Sequence, residues 1–551
     1  MSLNAKSLLC MSICILVAVP ALALDSDKWQ EDLSYLTANI KEIHPDPFRW
    51  IEEAEFDARA RELHDAIPQL EEYEIVAELQ RLVALLRDGH SGIQSATAGA
   101  GFDTEYPVVM YPFEDGVYIT SAAPAYGEYV GQRVVSICGT PIEGAIEAAS
   151  QVINGENSFT IVDRIPRFLA LPGMLAALDL SDGIEQAEIT VANAAGAEST
   201  FRVSPVPNHD FSVHGIEATT DGAVHARQTE APLYLKDPHR NYWFEYIADQ
   251  NLLYVQFNRV RNDAHESFAT FCHRMFAFVD ENAVEVLVLD IRFNHGGNNQ
   301  LLKPLIHGLI KRDNGINQAR RFYTILGRGT FSAAVSCTAW LEENTNVSFV
   351  GEPAGSGPNH WGDAENVVLP NSGINFWISE WAWQTRLPWD NRQWFAPRVP
   401  APPTFKAYAA GRDLALEAII RDRTERSLAE IIYYYGVEND IDGLTASYRD
   451  YKATHPDHWQ TSEADVNRIG YECLNDKNYE LAIAVFTLNT ESYPQSANCY
   501  DSLAEAYLKS GDRAKAIEFY QNALEVDPRF ANSMQMLAHL GVGVEGDTQN
   551  D

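Results

Sequence analysis

Residues 286–298 read VLVLDIRFNHGGN, and this stretch decides what kind of core the chain builds. Its first half is a continuous apolar run, which is typical of a strand buried on both faces of a sheet. Asp290 and Arg292 follow the run, and the glycines Gly296 and Gly297 come next. Paired glycines let backbone N–H groups approach a bound anion closely. The stretch therefore predicts an anion-binding turn, with a tight structural turn held by an Asp–Arg pair as the alternative.

A second stretch, RFYTILGRGTFSAAVSCTAW at residues 321–340, passes from an apolar strand through a glycine turn to Ser332, where a helix would begin. The positive end of a helix dipole favours a developing alkoxide, which suits a nucleophile. The common role of a serine at this position is to cap the helix. The order of glycine pair, strand and serine favours the nucleophile. No lysine lies between Lys311 and Lys406 to take its proton.

The region around these two stretches, 241–423, alternates strand and helix patterns and predicts an α/β core. Strands are predicted over 252–257, 284–291, 322–326 and 346–351, and helices over 265–279, over 300–310 and after Ser332. The preceding residues, 206–240, contain several Pro, His and Asp residues and are typical of a connector.

Two further segments precede the core. Residues 25–95 follow a helical period, and a second helix over 73–86 stops at the glycine-flanked loop RDGHSG, 87–92. One face of the first helix carries Trp29, Leu33, Leu36, Ile40 and Ile43. From 100 to 205 the apolar period shifts to two. That pattern predicts short strands over 116–120, 132–137 and 187–191, with a helix over 142–152.

The last part of the chain repeats with a period of 34 residues. Ala482-Ile483 recurs as Ala516-Ile517, and Pro494 recurs as Pro528. Small residues at recurring positions let helices cross closely, and a proline ends each helix pair. This period is typical of tetratricopeptide repeats. We expect the repeats either to present a groove for a protein partner or to stabilise or dimerise the chain.

Composition limits the expected location and partners. The formal net charge of −36 repels nucleic acid and anionic lipid, so neither is an expected partner. Lys6, the apolar run after it and the Ala21-Leu22-Ala23 motif together predict a signal peptide, and no span of the membrane is predicted. We therefore expect an exported protein, periplasmic or extracellular. The cysteines beyond the signal are scattered and show no C-x-x-C spacing, so neither a metal nor another cofactor is predicted.

As a set, the motifs resemble those of the C-terminal-processing, or tail-specific, serine peptidases. That family carries a strand ending in D-x-R-x-N-x-G-G, a T-x-S-A-A-like helix with the nucleophile, and a strand entering a G-E-P turn. The matching segments here are Asp290–Gly297, Thr330–Ala334 and Phe349–Gly355. The resemblance implies a crotonase-like (ClpP/crotonase) α/β peptidase core that cleaves peptide bonds. It also implies a PDZ-like insert before that core.

The resemblance and the periodicities together divide the chain into segments. They are a signal peptide over 1–23, an N-terminal helical domain over 24–98, a PDZ-like domain over 99–205, the peptidase core over 206–424 and an all-α tetratricopeptide-repeat domain over 425–545. Related folds bind their ligands as added strands. The expected substrate is therefore an extended polypeptide.

Many bacterial members of the family use a Ser/Lys dyad, in which a lysine is the general base. The general base expected here is not a lysine. The turn that holds their lysine reads GSGPNHWGD here, at 355–363, and contains none. A second branch of the family, which resembles tricorn protease and the chlamydial protease-like activity factor, uses a histidine from the N-terminal helical part and a later acid. His90 matches that histidine in order and context. A neutral imidazole can take the serine proton while a carboxylate holds its tautomer.

Alternatives for the base and the acid stay open. His360 lies in the turn where the lysine would be and is an alternative base, and His295 lies beside the glycine pair. Asp390, 58 residues beyond Ser332, stands where that branch has its acid, although the branch uses Glu. Asp390 could equally pair with Arg392. The remaining candidates for the acid are Glu352, Asp363 and Glu365.

The resemblance implies a site with Ser332 as nucleophile, His90 as base and Asp390 as acid. The oxyanion would be held by the backbone N–H groups of Gly296 or Gly297 and of Ala333. The predicted function is that of an exported serine peptidase. Its rivals are an inactive pseudo-peptidase that binds peptides through its PDZ-like and tetratricopeptide modules, and an acyl-transfer enzyme acting on small esters, since a fold does not fix a substrate.

Overall fold

The structure is a computed structural model that describes residues 24–542 apart from 228, 425–427, 439 and 455–460. The predicted signal peptide over 1–23 and the last predicted residues of the repeat domain, 543–545, lie outside the described residues. None of the helices within the described ranges is both long enough and apolar enough to cross a bilayer.

The N-terminal part is helical, as its period predicted. It contains α1 (Ser26–Ile43), α2 (Glu53–Ala66) and α3 (Glu72–Ala84). The side chain of Asp25 accepts a hydrogen bond from the N–H of Lys28 and so caps α1. The buried face of α1 includes Trp29, Leu33, Leu36 and Ile40. Because α3 ends at Ala84, the chain enters the 87–92 loop directly from a helix of this core.

Short strands and helices follow the N-terminal helices. The strands are β1 (Gly92–Ile93), β2 (Thr104–Glu105), β3 (Val108–Phe113), β4 (Gly116–Ala122), β5 (Arg133–Ile137), β6 (Thr140–Pro141), β7 (Ala187–Ala192), β8 (Glu198–Val203), β9 (Val206–Pro207), β10 (Val213–His214), β11 (Glu217–Ala218) and β12 (Val224–His225). The main sheet of this part has the order β12-β4-β5-β7-β8, and β3 pairs with β4. Its strands β4, β5 and β7 lie within a few residues of the predicted ones.

Helices α4 (Ile142–Ser150), α5 (Ser158–Phe168) and α6 (Pro172–Ala177) accompany that sheet. The sequence patterns predicted α4 but neither α5 nor α6. The side chain of Asn157 accepts a hydrogen bond from the N–H of Thr160 and begins α5. This cap fixes the loop before α5, which reaches the candidate site described below.

A mostly parallel sheet forms the predicted α/β core. In spatial order it consists of β13 (Tyr242–Ile247), β14 (Leu252–Phe257), β15 (Val286–Asp290), β16 (Phe322–Leu326), β17 (Ser348–Gly351) and β20 (Val399–Pro400). Only the pair β13 and β14 is antiparallel within this sheet. The predicted strands over 252–257 and 322–326 match the structure to the residue.

Both faces of the core sheet are covered, which explains the continuous apolar run at 286–290. Helices α7 (Phe268–Glu281), α8 (Lys303–Ile310) and α9 (Ala333–Asn344) pack on Leu287 and Leu289. The opposite face, with Val286 and Val288, packs on α11 (Leu414–Thr424), which follows the short helix α10 (Phe405–Ala409). A strand covered on both sides has no polar face, so its sequence shows no alternation.

Residues 359–384 form a hairpin, so the interpretation of 355–363 as a simple turn is wrong. Its strands are β18 (Asn359–Val368) and β19 (Asn375–Gln384), and His360 lies in β18 opposite Trp383. The short strand β1 pairs with β19, which places Gly92 opposite Trp377. The hairpin therefore fastens the end of the 87–92 loop beside the core sheet.

The C-terminal part is helical, as the 34-residue period predicted. It contains α12 (Leu428–Glu438), α13 (Ile441–Thr454), α14 (Glu463–Asn475), α15 (Tyr479–Ser492), α16 (Ala497–Ser510), α17 (Arg513–Val526) and α18 (Ala531–His539). Gly470 of α14 lies directly against the ring of Phe486 in α15, where a larger side chain would overlap the ring. This is the close helix crossing that the recurring small residues predicted.

Candidate active site

Ser332 occupies the turn between β16 and α9 in a strained backbone conformation. It is the residue before α9, with φ 55° and ψ −126°, and its side chain makes no capping hydrogen bond to the helix. A non-glycine residue in such a conformation costs about 1–3 kcal/mol and persists only where its surroundings enforce it. The helix-cap interpretation of Ser332 is therefore wrong, and its half-buried hydroxyl is free of the helix.

The glycine turn approaches Ser332 as closely as two backbones allow. A Cβ atom on Gly296 would lie 2.7 Å from Cβ of Ser332 and 2.7 Å from the backbone N of Ala333. On Gly297 it would overlap the carbonyl of Val260. Both glycines have positive φ, 98° and 136°, which L side chains rarely adopt. The paired glycines are thus explained by contact with the serine turn and with the neighbouring strand end.

The two glycines differ in the availability of their N–H groups. That of Gly296 already donates to Oδ1 of Asn294 at 2.9 Å. Those of Gly297 and Ala333 have no acceptor among the described residues. Free N–H groups beside a nucleophile are what an oxyanion hole requires. Of the predicted donors, Gly297 and Ala333 remain available, whereas Gly296 is occupied.

The motif residues Asp290 and Arg292 hold the turn rather than face a ligand. The guanidinium of Arg292 binds the buried carboxylate of Asp290 and also that of Asp413, 2.8 Å away. The hydroxyl of Tyr254 donates to Asp290 at 2.6 Å. The structural alternative for this Asp–Arg pair is therefore correct, and it coexists with the functional interpretation of the glycines that follow.

His90 is held by a buried loop that is organised around Asp88. One oxygen of Asp88 accepts the backbone N–H of His90 at 2.9 Å, and the other accepts the hydroxyl of Ser91. His44 directly follows α1, and its Nε2 lies 3.4 Å from the same carboxylate. Burial alone would raise the pKa of Asp88. The hydrogen bonds and the nearby imidazoles outweigh burial, so the pKa of Asp88 lies below its usual range. Asp88 therefore carries a negative charge.

The imidazole of His90 is stacked next to the turn that carries Ser332. Its ring lies 4.4 Å, centroid to centroid, from that of Phe331, the residue before Ser332, and 5.9 Å from that of His360. Gly89 makes the contact with Phe331 possible, since a Cβ there would lie 2.6 Å from that ring. The structure thus places His90 against the residue that precedes Ser332.

Two carboxyl groups face Nδ1 of His90. Oδ1 of Asp88 lies 3.9 Å away and Oε1 of Glu156 lies 3.8 Å away. Glu156 comes from the loop before α5, and its other oxygen accepts the hydroxyl of Ser356. Neither ring nitrogen of His90 has a hydrogen-bond partner among the described residues. The sequence did not reveal Glu156, because it matches no motif and lies in a different segment from His90.

Burial sets the protonation of this group. It lowers the pKa of His90 to about 4, which leaves the imidazole neutral at neutral pH and able to accept a proton. Burial raises the pKa of Glu156 to about 8, so this carboxyl holds its proton at neutral pH. The negative charge beside the imidazole is therefore that of Asp88.

His360, predicted as an alternative base, lies in the same pocket as Ser332. It lines a pocket of about 300 Å³ together with Ser332, Ala333 and Gly297. Burial lowers its pKa to about 3, and its Nδ1 has no hydrogen-bond partner among the described residues. Among the described residues, His360 has no carboxylate within ion-pair distance, whereas His90 has two. His295, the third histidine considered, is exposed.

Asp390, the predicted acid, is engaged elsewhere. Its two oxygens bind the guanidinium of Arg392 at 2.9 and 2.8 Å, and Arg386 lies 3.8 Å away. Hydrogen bonding to Arg392 lowers the pKa of Asp390. The structure therefore favours the open alternative of an Asp390–Arg392 pair, and it places the carboxyls of Asp88 and Glu156 next to His90.

The other candidates for the acid lie in different environments. Glu352 forms an ion pair with Arg328 at 3.1 Å. Asp363 and Glu365, both in β18, are exposed. None of the three is within ion-pair distance of His90, by the contacts of the described residues.

A cleft of about 680 Å³ opens on this site. Its walls combine His90 and Phe331 from the site with Arg164 and Arg167 from α5 and Trp377 from β19. The cleft therefore lies between the core sheet, the hairpin and the segment that was predicted as a PDZ-like insert.

Known structures share this architecture. A solved structure of mature CPAF matches with a TM-score of 0.51 at 12% identity, covering 72% of this chain and 96% of that chain. Mature CPAF complexed with lactacystin matches with a TM-score of 0.51 at 13% identity, covering 72% and 98%. Tricorn protease gives a TM-score of 0.34 at 14% identity, covering 72% of this chain and 36% of that chain. The predicted similarity to the C-terminal-processing serine peptidases is confirmed at the level of the fold.

Sequence comparison adds the repeat domain. The tetratricopeptide repeat family matches residues 497–530, which span α16 and α17. The prediction of tetratricopeptide repeats is therefore confirmed for this segment. No curated protein matches the chain by sequence.

The strain at Ser332 predicts different effects of two substitutions. Ser332→Ala should change the free energy of unfolding by less than about 0.5 kcal/mol, because no cap is lost. Ser332→Gly should raise it by roughly 1 kcal/mol, because glycine adopts this φ without strain. Denaturant unfolding of both variants measures the effect. A loss of about 1–2 kcal/mol in Ser332→Ala would restore the cap interpretation.

Proposed function

We propose that this chain is a serine peptidase that hydrolyses peptide bonds of extended polypeptides, with Ser332 as nucleophile. One observation carries the proposal: the hydroxyl-bearing residue is held in a strained conformation against a glycine turn, and free N–H groups flank it. Strain of this kind clusters at functional sites. An ordinary helix start needs neither the strain nor the free donors.

His90 is the proposed general base. Its imidazole is neutral and stacks on the residue before Ser332. After it takes the serine proton, the resulting imidazolium lies beside the charged carboxylate of Asp88, which stabilises it. The distance of 3.9 Å from Nδ1 to Asp88 is longer than a hydrogen bond, and such contacts often tighten when substrate binds. Asp88 thus takes the role that the resemblance assigned to Asp390.

The oxyanion of the tetrahedral intermediate would be held by the N–H groups of Gly297 and Ala333. Neither group has an acceptor within the described ranges, and the two residues line the same pocket as Ser332. Loss of one such donor typically lowers turnover by a factor of about 100–1,000. Preorganised donors of this kind act because their orientation is fixed by the fold before the substrate arrives.

The remaining parts of the prediction are proposals about the whole chain. The core is proposed to be crotonase-like and residues 99–205 PDZ-like, with the cleft between them holding an extended peptide. The tetratricopeptide helices are proposed to bind a protein partner.

Export to the periplasm or the outside is proposed from the signal-like N-terminus. Cleavage after Ala23 in the secreting cell, read by N-terminal sequencing, would test the last point.

A fluorophosphonate probe tests the nucleophile without a known substrate. Wild-type protein should form one covalent adduct, and tandem mass spectrometry should locate it on Ser332, because only an activated serine reacts at a useful rate. Ser332→Ala is the control and should stay unlabelled. A folded wild-type protein that forms no adduct, or that forms one on another serine, would instead support an inactive, peptide-binding pseudo-peptidase or a different site.

Substitution of the two stacked histidines tests the base. His90→Ala should lower the rate of adduct formation on Ser332 by at least about a hundredfold, because general-base catalysis contributes factors of that size. His360→Ala is the matched control and should keep most of the rate, as should Asp390→Asn. Loss of labelling in His360→Ala with retention in His90→Ala would exchange the roles of the two histidines.

A further inference from the structure

The group formed by Asp88, His90 and Glu156 has the composition of a metal site. Its three donor atoms, one from each side chain, all lie within 4.8 Å of one another. The two distances from Nδ1 of His90 are 3.8 Å to Glu156 and 3.9 Å to Asp88. Two of the donors, Nδ1 of His90 and Oε1 of Glu156, are buried and have no hydrogen-bond partner among the described residues.

Unpartnered buried donors that converge on one point call for an occupant. A buried polar atom without a partner destabilises the fold, and here two such atoms face each other and an ionised carboxylate. The other atoms of the group are already fixed. Asp88 is held by Ser91 and lies against His44, and Glu156 is held by Ser356. The group is therefore built around a point that its own members do not fill.

We propose that Asp88, His90 and Glu156 bind one zinc ion, and that this ion switches the proposed peptidase off. Zinc takes imidazole nitrogen and carboxylate oxygen at about 2.0–2.1 Å in tetrahedral geometry, which sets neighbouring ligand atoms about 3.4 Å apart. Glu156 would release its proton to solvent as it binds the ion. The two separations from Nδ1 of His90 exceed that value by about half an ångström, and the two carboxylates, within 4.8 Å of each other, would move together when the ion binds. Imidazole among the ligands disfavours calcium and magnesium, which take oxygen.

The ion would also have access to the group. His90 lines the cleft of about 680 Å³, and Glu156 lines a separate pocket of about 290 Å³ on the side of Trp361 and Asp390. Three protein ligands leave one tetrahedral position for water, which either pocket can supply. Hydrogen bonds from the neighbours of ligating carboxylates are the usual support for such sites.

The effect on catalysis follows from the chemistry of the imidazole ring. Coordination uses the lone pair of Nδ1 and leaves the ring proton on Nε2. A ring in that form cannot accept the proton of Ser332 at Nε2, so the base is blocked without any change in fold. This consequence rests on the proposed function, whereas the binding of zinc does not.

Isothermal titration of the full chain, treated with EDTA and dialysed, tests the site with zinc chloride alone. Wild type and Ser332→Ala should bind zinc equally, because the nucleophile is not a ligand. Glu156→Gln and His90→Gln should each weaken this binding at least about tenfold, since the first removes the carboxylate charge and the second removes the imidazole nitrogen. Glu365→Gln is the matched control: it changes an exposed carboxylate of β18 in the same way and should leave the affinity unchanged.

The outcomes separate the two proposals. Zinc binding that is lost in Glu156→Gln and His90→Gln supports the metal site, whether or not Ser332 reacts with a fluorophosphonate. Adduct formation that zinc suppresses and EDTA restores supports the switch. Zinc binding that survives both substitutions, or no binding in wild type, overturns the site. Should Glu156→Gln fail to fold, cobalt substitution in wild type decides: weak octahedral absorption bands in place of intense tetrahedral ones would contradict the proposed coordination.

Discussion

The buried carboxylate of Asp88 is the constraint on which the candidate site depends. It accepts the backbone N–H of His90 and the hydroxyl of Ser91, and it lies 3.4 Å from Nε2 of His44 at the end of α1. Ser91 in turn accepts the N–H of Ser379 in the hairpin. A buried charge is tolerated only when partners surround it. One charge therefore joins the N-terminal helices, the loop that carries His90 and the hairpin beside the core.

The second constraint is steric. The turn that carries Ser332 is in contact with the glycine pair at 296–297 and with the loop that carries His90. The contacts are so close that no side chain fits at Gly89 or Gly296. Gly89 lies against Phe331, and Gly296 lies against Ser332. The strain at Ser332 is thus enforced from two sides, by the core sheet that positions its own turn and by the segments packed on it.

Much of the core could be predicted from the sequence, because buried positions recur along the chain as apolar or small residues at regular spacing. Strands β14 and β16, the apolar face of α1 and the 34-residue repeat all follow from which residues must be covered. The partners of His90 could not be predicted in this way. Glu156 lies 66 residues from His90, in a loop fixed by the cap at Asn157, and only the packing of that segment against the core brings it there. Asp390 lies at the expected spacing, but its carboxylate forms an ion pair with Arg392, two residues later.

The ring nitrogens of His90 have no hydrogen-bond partner in the described part of the chain, and this underlies both its proposed role as a base and the proposed metal site. Burial without partners keeps the ring neutral, and a neutral ring can accept either a proton or a metal. The most direct test of the base is the pH dependence of fluorophosphonate adduct formation on Ser332 in the presence of EDTA. Burial lowers the pKa of His90 to about 4, so the rate should stay constant from pH 8 to about 5 and fall only below that range. A half-maximal rate near 6.5, the value of a solvated histidine, or a rate that does not change with pH, would contradict a buried His90 as the base.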